Sequence, residues 1–126
     1  MLLQVFQIDF PVLGIEATIE IFSGKWKLLI VYVLINKKRR TSELKSLIPQ
    51  ISQKVLISQL RELEKDGIVK RYDYKEMPPK VEYSLTEYGK TFIDIIYAMC
   101  NWGKENIKMR QENGEDIIIN SIRKKL

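Results

Sequence analysis

Two hydrophobic periods run through this chain, and the places where one gives way to the other outline its elements. From Val12 to Phe22, Ile15, Ile19 and Phe22 recur at helical spacing with Glu16 and Glu20 on the other side, which predicts an amphipathic helix. Ser23-Gly24 breaks it. In GKWKLLIVYVLI, Trp26, Leu29, Ile30, Val33 and Leu34 fall at i, i+3, i+4, i+7 and i+8, an apolar face wide enough for a core helix. Asn36 ends that helix, and the basic run Lys37-Lys38-Arg39-Arg40 follows. Thr41 or Ser42 then caps a short helix with Glu43 at its positive end and Leu44, Leu47 and Ile48 as its stripe. Pro49 limits it, and Ser52 is a natural cap for the next helix.

That next helix is the clearest in the chain. Leu56, Leu60 and Leu63 share one face, with Val55 and Gln59 beside them, while Lys54, Ser58, Arg61 and Lys65 occupy the other. Asp66-Gly67 supplies its stop. The period then changes to two. Ile68 to Tyr74 reads as a strand, and Val81, Tyr83 and Leu85 alternate in a second strand after a KEMPP loop. Pro78 and Pro79 cannot donate to a ladder and belong at the tip or edge. Thr86 is expected to cap one long last helix bearing Tyr88, Phe92, Ile95, Ile96, Met99 and Trp102. Asn113-Gly114 breaks the pattern before a charged tail, EDIIINSIRKKL.

Helix, turn, helix and hairpin in this order describe a winged helix-turn-helix: mainly α with a small β-hairpin wing (α+β). The chain of 126 residues is expected to form one domain over 1–126, its core about 15–103, with 104–126 a C-terminal extension of unassigned structure. Charge sharpens the picture. Between Lys37 and Lys80 lie twelve Lys or Arg against six Asp or Glu, a net of +6, while the rest of the chain has nine against ten, a net of −1. The excess sits where an electrostatic footprint on phosphate would need it.

The single cysteine, Cys100, and the lack of histidine exclude an internal disulfide and a Cys/His zinc site. The usual general base near neutral pH is missing as well, so no enzyme is expected and no cofactor is called for. The apolar start MLLQVFQIDF is interrupted by Asp9 and Pro11, lacks a basic flank and is too short to span a bilayer. A cytoplasmic, nucleoid-associated protein with no membrane partner is the expectation.

The helix from Ser52 to Asp66 is the candidate reader of double-stranded DNA. Ser52, Gln53 and Lys54 at its start would enter the major groove, where Gln suits adenine and Lys suits guanine. Ser58, Arg61 and Lys65 continue that face. Lys75 and Lys80 on the wing would lie along the backbone or minor groove, and the basic run Lys37 to Arg40, Arg39 and Arg40 above all, would hold phosphates together with Thr41. Taken alone, each set could be a merely solvated surface; the reader helix and wing in direct succession favour DNA. The broad apolar coverage of the last helix points to a homodimer seam with the N-terminal helix, using Ile15, Ile19, Phe92, Ile96, Met99 and Trp102. A winged-helix protein-interaction module without DNA binding is the alternative, and an unidentified small-molecule effector is a further partner that the architecture leaves room for.

GIEATIEIFSGKWKLLIVYVL, RRTSELKSLIPQISQKVLISQLRELEKDGIVKR and PPKVEYSLTEYGK resemble the HxlR-type winged helix-turn-helix regulators, relatives of the MarR regulators, over roughly Ile15 to Gly103. The resemblance implies a homodimeric DNA-binding transcription factor of bacterial or archaeal type, paired through its first and last helices. Two departures stand out. Many members carry Cys-Pro, in some an oxidant sensor, where this chain has Leu13 and Gly14, so that mechanism is not carried over; Cys100 reads as a small core or interface residue. Members often have Arg at the position of Lys80 and a polar residue at Ile57.

Overall fold

The computed structural model describes residues 10–117. The apolar start 1–9 and the end of the tail, 118–126, lie outside the described residues. Helix α1 (Phe10–Phe22) leads into α2 (Trp26–Leu34), as the break at Ser23-Gly24 predicts. Ile30, Val31, Val33 and Leu34 of α2 are buried, and Trp26, Leu28, Leu29 and Tyr32 pack around them. α1 is a different case: Phe22 is buried, its ring stacked on that of Phe92 at 4.0 Å, whereas Ile15 and Ile19 face outward.

α3 (Thr41–Leu47) and α4 (Gln53–Lys65) form the helix-turn-helix. Neither Thr41 nor Ser42 caps α3. Arg40 takes the cap position, and its backbone N–H donates to the Glu43 carboxylate at 3.0 Å. Ser52 does cap α4: its hydroxyl accepts from the Val55 N–H at 3.2 Å. Leu44, Leu47, Ile48 and Ile51 meet Leu56, Leu60 and Leu63 in the core. Gly67, at φ 76°, ends α4 in the left-handed conformation that glycine tolerates.

Strands β1 (Val69–Asp73) and β2 (Val81–Leu85) pair antiparallel, with Val69 opposite Leu85, Arg71 opposite Tyr83 and Asp73 opposite Val81. Tyr83 and Leu85 point into the core. On its other edge β2 pairs with a single residue far upstream: Arg39 N–H donates to Tyr83 O at 2.9 Å, and Tyr83 N–H to Arg39 O at 2.8 Å. This bridge fastens the basic loop after α2 to the wing.

The last helix is not one piece. Thr86 caps a single turn, α5 (Glu87–Lys90), by accepting from the Gly89 N–H at 2.8 Å. The chain then tightens, with Thr91 and Phe92 N–H donating to the carbonyls three residues back, before α6 (Ile93–Glu112) begins. α6 continues through residues 104–112, which the sequence pattern left unassigned. Asn113-Gly114 ends it.

Candidate nucleic-acid interface

α4 lies with its leucine face inward, and this leaves Ser52, Gln53, Lys54, Ser58, Arg61 and Lys65 exposed. Gln53, Lys54, Ser58 and Arg61 line one shallow depression together with Ile57 and Glu62. The expected contact residues of the helix are thus gathered on one surface, with Lys65 a turn beyond. Ile57 is half-buried at the floor of that surface. Glu62 adds a negative charge that the sequence pattern did not bring forward. It is held by two partners: Lys27 of α2, only 3% exposed, whose Nζ lies 3.3 Å from Oε1, and Gln59, whose Nε2 donates to Oε2 at 3.0 Å. The Lys27 contact ties α4 to the core helix, and the Gln59 contact steadies the carboxylate from within α4.

The basic loop divides. Arg39 is 8% exposed and its Nε donates to the Val33 carbonyl at 2.9 Å. It closes the C-terminal end of α2 and is not a phosphate clamp. The bridge to Tyr83 turns it inward, and alternation sends its neighbours the other way. Arg40 is exposed and Thr41 half-buried at the first turn of α3.

The outer face of the hairpin carries the most developed polar network among the described residues. By register, Lys70, Tyr72, Glu82 and Ser84 share this face. Lys38 Nζ donates to the Tyr74 hydroxyl at 3.2 Å, and that hydroxyl in turn donates to Glu82 Oε1. Lys38 Nζ is also 3.8 Å from Glu82, whose side chain is 14% exposed. From the far side of the loop, Lys80 Nζ sits 4.3 Å above the Tyr74 ring centroid, within cation–π range. The Tyr72 ring braces Tyr74 edge-on at 4.7 Å. The Tyr74 hydrogen bond, and then the positive charges of Lys38, Lys80 and Arg40, hold the Glu82 carboxyl below its ordinary pKa against the opposing effect of burial. The same Tyr74 contact, followed by the charge interactions, raises Lys38. Lys80 is therefore laid back on the Tyr74 ring at the loop end of the hairpin instead of reaching out from the Pro-Pro tip. Lys75 is exposed at the turn, its N–H donating to Asp73 Oδ1 at 2.8 Å.

The expected seam residues also divide. Ile15, Ile19, Met99 and Trp102 are exposed, Trp102 to 74%. Phe92 and Ile96 are buried in the core of their own chain, where the turn between α5 and α6 directs them toward Phe22 and α2, so they are not surface seam residues. Cys100 is exposed, not a core residue, and lies with Leu28, Leu29, Tyr32, Ile96 and Met99 along an apolar groove between α2 and α6.

Residues 21–111 match the model of the HxlR-like helix-turn-helix family. The chain belongs to that family. Among its relatives is the uncharacterized HTH-type transcriptional regulator YtcD of Bacillus subtilis, 50% identical over 95 residues that cover 75% of each protein. An HTH-type regulator of Methanothermobacter thermautotrophicus is 44% identical over 102 residues, 81% of this chain and 78% of that one. Among solved structures, the redox regulator HypR in its reduced form superposes with a TM-score of 0.75 at 44% identity, covering 79% of this chain and 98% of HypR. The HxlR-like chain is thus a DNA-binding transcriptional regulator with a winged helix-turn-helix fold, and the family is a non-enzyme class. Among the described residues no helix is long and apolar enough to cross a membrane.

Tyr74 and Glu82 escaped the sequence reading, as did the link that joins Lys38 of the basic run to them. Period-two alternation around Arg39 and Tyr83 would place Lys38, Arg40 and Glu82 on one face, but only once those two residues are known to pair.

Proposed function

We propose that this HxlR-like chain acts in the cytoplasm as a homodimer on a short palindromic operator. α4 enters the major groove through Ser52, Gln53, Lys54, Ser58 and Arg61, and the hairpin lies on the adjacent backbone or minor groove. The observation that carries this reading is the free Gln53–Lys54–Ser58–Arg61 surface, flanked by a basic hairpin and opposed by a packed leucine face. A winged-helix module that had given up DNA would have no physical reason to keep a cationic surface at both contacts. Two-fold pairing through the exposed residues of α1 and α6 would set two reader helices about 34–36 Å apart, one turn of duplex. HypR is named a redox regulator; that control is not extended to this chain, which has Leu13 and Gly14 in place of the Cys-Pro pair.

Selection of duplexes from a random library, followed by anisotropy titration, tests the reading. Wild type should prefer one palindromic sequence over mixed-sequence DNA, with an affinity that falls steeply as salt rises. Arg61→Ala should weaken operator binding by roughly tenfold or more, on the scale of one lost base or phosphate contact, with an unchanged melting temperature. Equal binding by wild type and Arg61→Ala would remove α4 as the reading surface.

A further inference from the structure

The contacts between the basic loop and the wing ask for an explanation, because they spend a carboxylate where the chain is otherwise gathering positive charge. Glu82 is the only acid in contact with the Lys38–Tyr74–Lys80 cluster among the described residues, and it is mostly covered while Lys38 remains 61% exposed. The cations therefore stand outside and the carboxylate behind them. Tyr74 serves both: its hydroxyl links Lys38 to Glu82, and its ring carries the Lys80 ammonium. Lys38 and Arg40 flank the inward-pointing Arg39 and so rise on the same outer face. One negative charge thus gathers Lys38 and Lys80, drawn from segments some 40 residues apart, and with Arg40 on the same face two positive charges remain in excess.

We propose, on the basis of the DNA-binding reading, that Glu82 is a positioning residue: through Tyr74 it gathers Lys38 and Lys80 into one preformed site for a DNA backbone phosphate. Long lysine side chains lose rotamer freedom when they settle on a ligand, and a site already ordered in the free protein avoids much of that loss. A phosphate oxygen approaching Lys38 and Lys80 from solvent meets ammonium groups whose other contacts are made. Arg40, at the cap of α3, adds a third cation beside them. Because the contact is to the backbone, it fixes how the wing lies on the duplex without reading bases.

The sign of one substitution decides the matter. If charge alone mattered, Glu82→Gln would remove a repulsive acid and tighten DNA binding. Positioning requires the opposite. In anisotropy titrations of the full chain, at one fixed low salt concentration, Glu82→Gln should weaken binding by about threefold to tenfold. The loss should be equal on a selected duplex and on a mixed-sequence duplex. Tyr74→Phe, which keeps the ring and removes only the hydroxyl, should shift affinity the same way. Lys38→Gln should lower the salt slope by about one per bound chain, and in that background Glu82→Gln should cost less than it does alone. Unchanged or tighter binding by folded Glu82→Gln overturns the proposal, as does full additivity of the Lys38 and Glu82 changes. Should Glu82→Gln fail to fold, as judged by circular dichroism, unchanged binding by Tyr74→Phe overturns it instead. Failure of wild type to bind either duplex would strike the DNA-binding reading itself, a result distinguishable from all of these.

Discussion

Gly89 touches the protein where no other residue fits. A Cβ placed there would lie 2.1 Å from the Ile68 carbonyl oxygen and 3.0 Å from its carbon, distances that only a backbone shift could relieve. Thr86 fixes the same junction from the other side, its N–H donating to Ile68 O at 3.0 Å and its hydroxyl receiving the Gly89 N–H at 2.8 Å. The single turn α5 is thus seated on Gly67 and Ile68, just ahead of β1. Gly89→Ala should destabilise the fold by about 1–3 kcal/mol, the cost of overpacking a close contact. Thermal unfolding at fixed protein concentration should show the midpoint falling by several degrees; an unchanged midpoint would mean the junction is slack. Arg39 makes a related point at the same scale. A basic residue in a basic run looks like a phosphate contact, yet its guanidinium is spent on the Val33 carbonyl.

At the scale of elements, legibility follows how local the cause is. α4 was readable because Leu56, Leu60 and Leu63 repeat in register and Ser52 precedes them, so packing face, polar face and cap are all written within one stretch. The hairpin was readable for the same reason, through Val81, Tyr83 and Leu85. The split between α5 and α6 was hidden: Tyr88, Phe92, Ile95 and Ile96 keep a helical period across it, and the close Gly89–Ile68 approach beside the tightened turn joins residues far apart in sequence. The Arg39–Tyr83 bridge joins residues 44 positions apart, and with it went the outer-face network and the inward turn of Arg39. Among site residues, the α4 surface was therefore legible and the Lys38–Tyr74–Glu82 link was not. Ser52 offers a test in which stability and binding separate. Ser52→Ala should lose about 1 kcal/mol with the missing cap. Ser52→Asp should restore the melting temperature, since a carboxylate caps as well, while weakening DNA binding by placing a negative charge at the groove. Unchanged stability in Ser52→Ala would show that the cap contributes nothing.

The whole molecule separates two kinds of exposed surface. Basic and polar groups cover α4 and the hairpin, whereas Ile15 and Ile19 on α1 and Met99 and Trp102 on α6 leave apolar area uncovered, 62% and 59% exposed for the two isoleucines. Large contiguous apolar patches are uncommon on monomeric proteins and mark association sites. From Pro11 onward, α1 buries Phe22 and packs Ile21 half-buried against the core, while most of its remaining residues are exposed. A second copy that covered both helices would also supply the second reader helix, so assembly and operator affinity should be linked. Ile19→Glu and Trp102→Glu each put a charge into the proposed seam without touching the core. Sedimentation should show wild type as a dimer and the double variant as a monomer, with the helical circular dichroism of residues outside α1 retained. On a duplex carrying two half-sites the double variant should lose about 10²-fold or more in affinity, because the second contact no longer comes at high effective concentration. On a duplex carrying one half-site it should bind nearly as well as wild type. A wild-type monomer at concentrations that saturate the two-site duplex, or a double variant that still binds it fully, would separate DNA recognition from pairing and leave the apolar face to another partner.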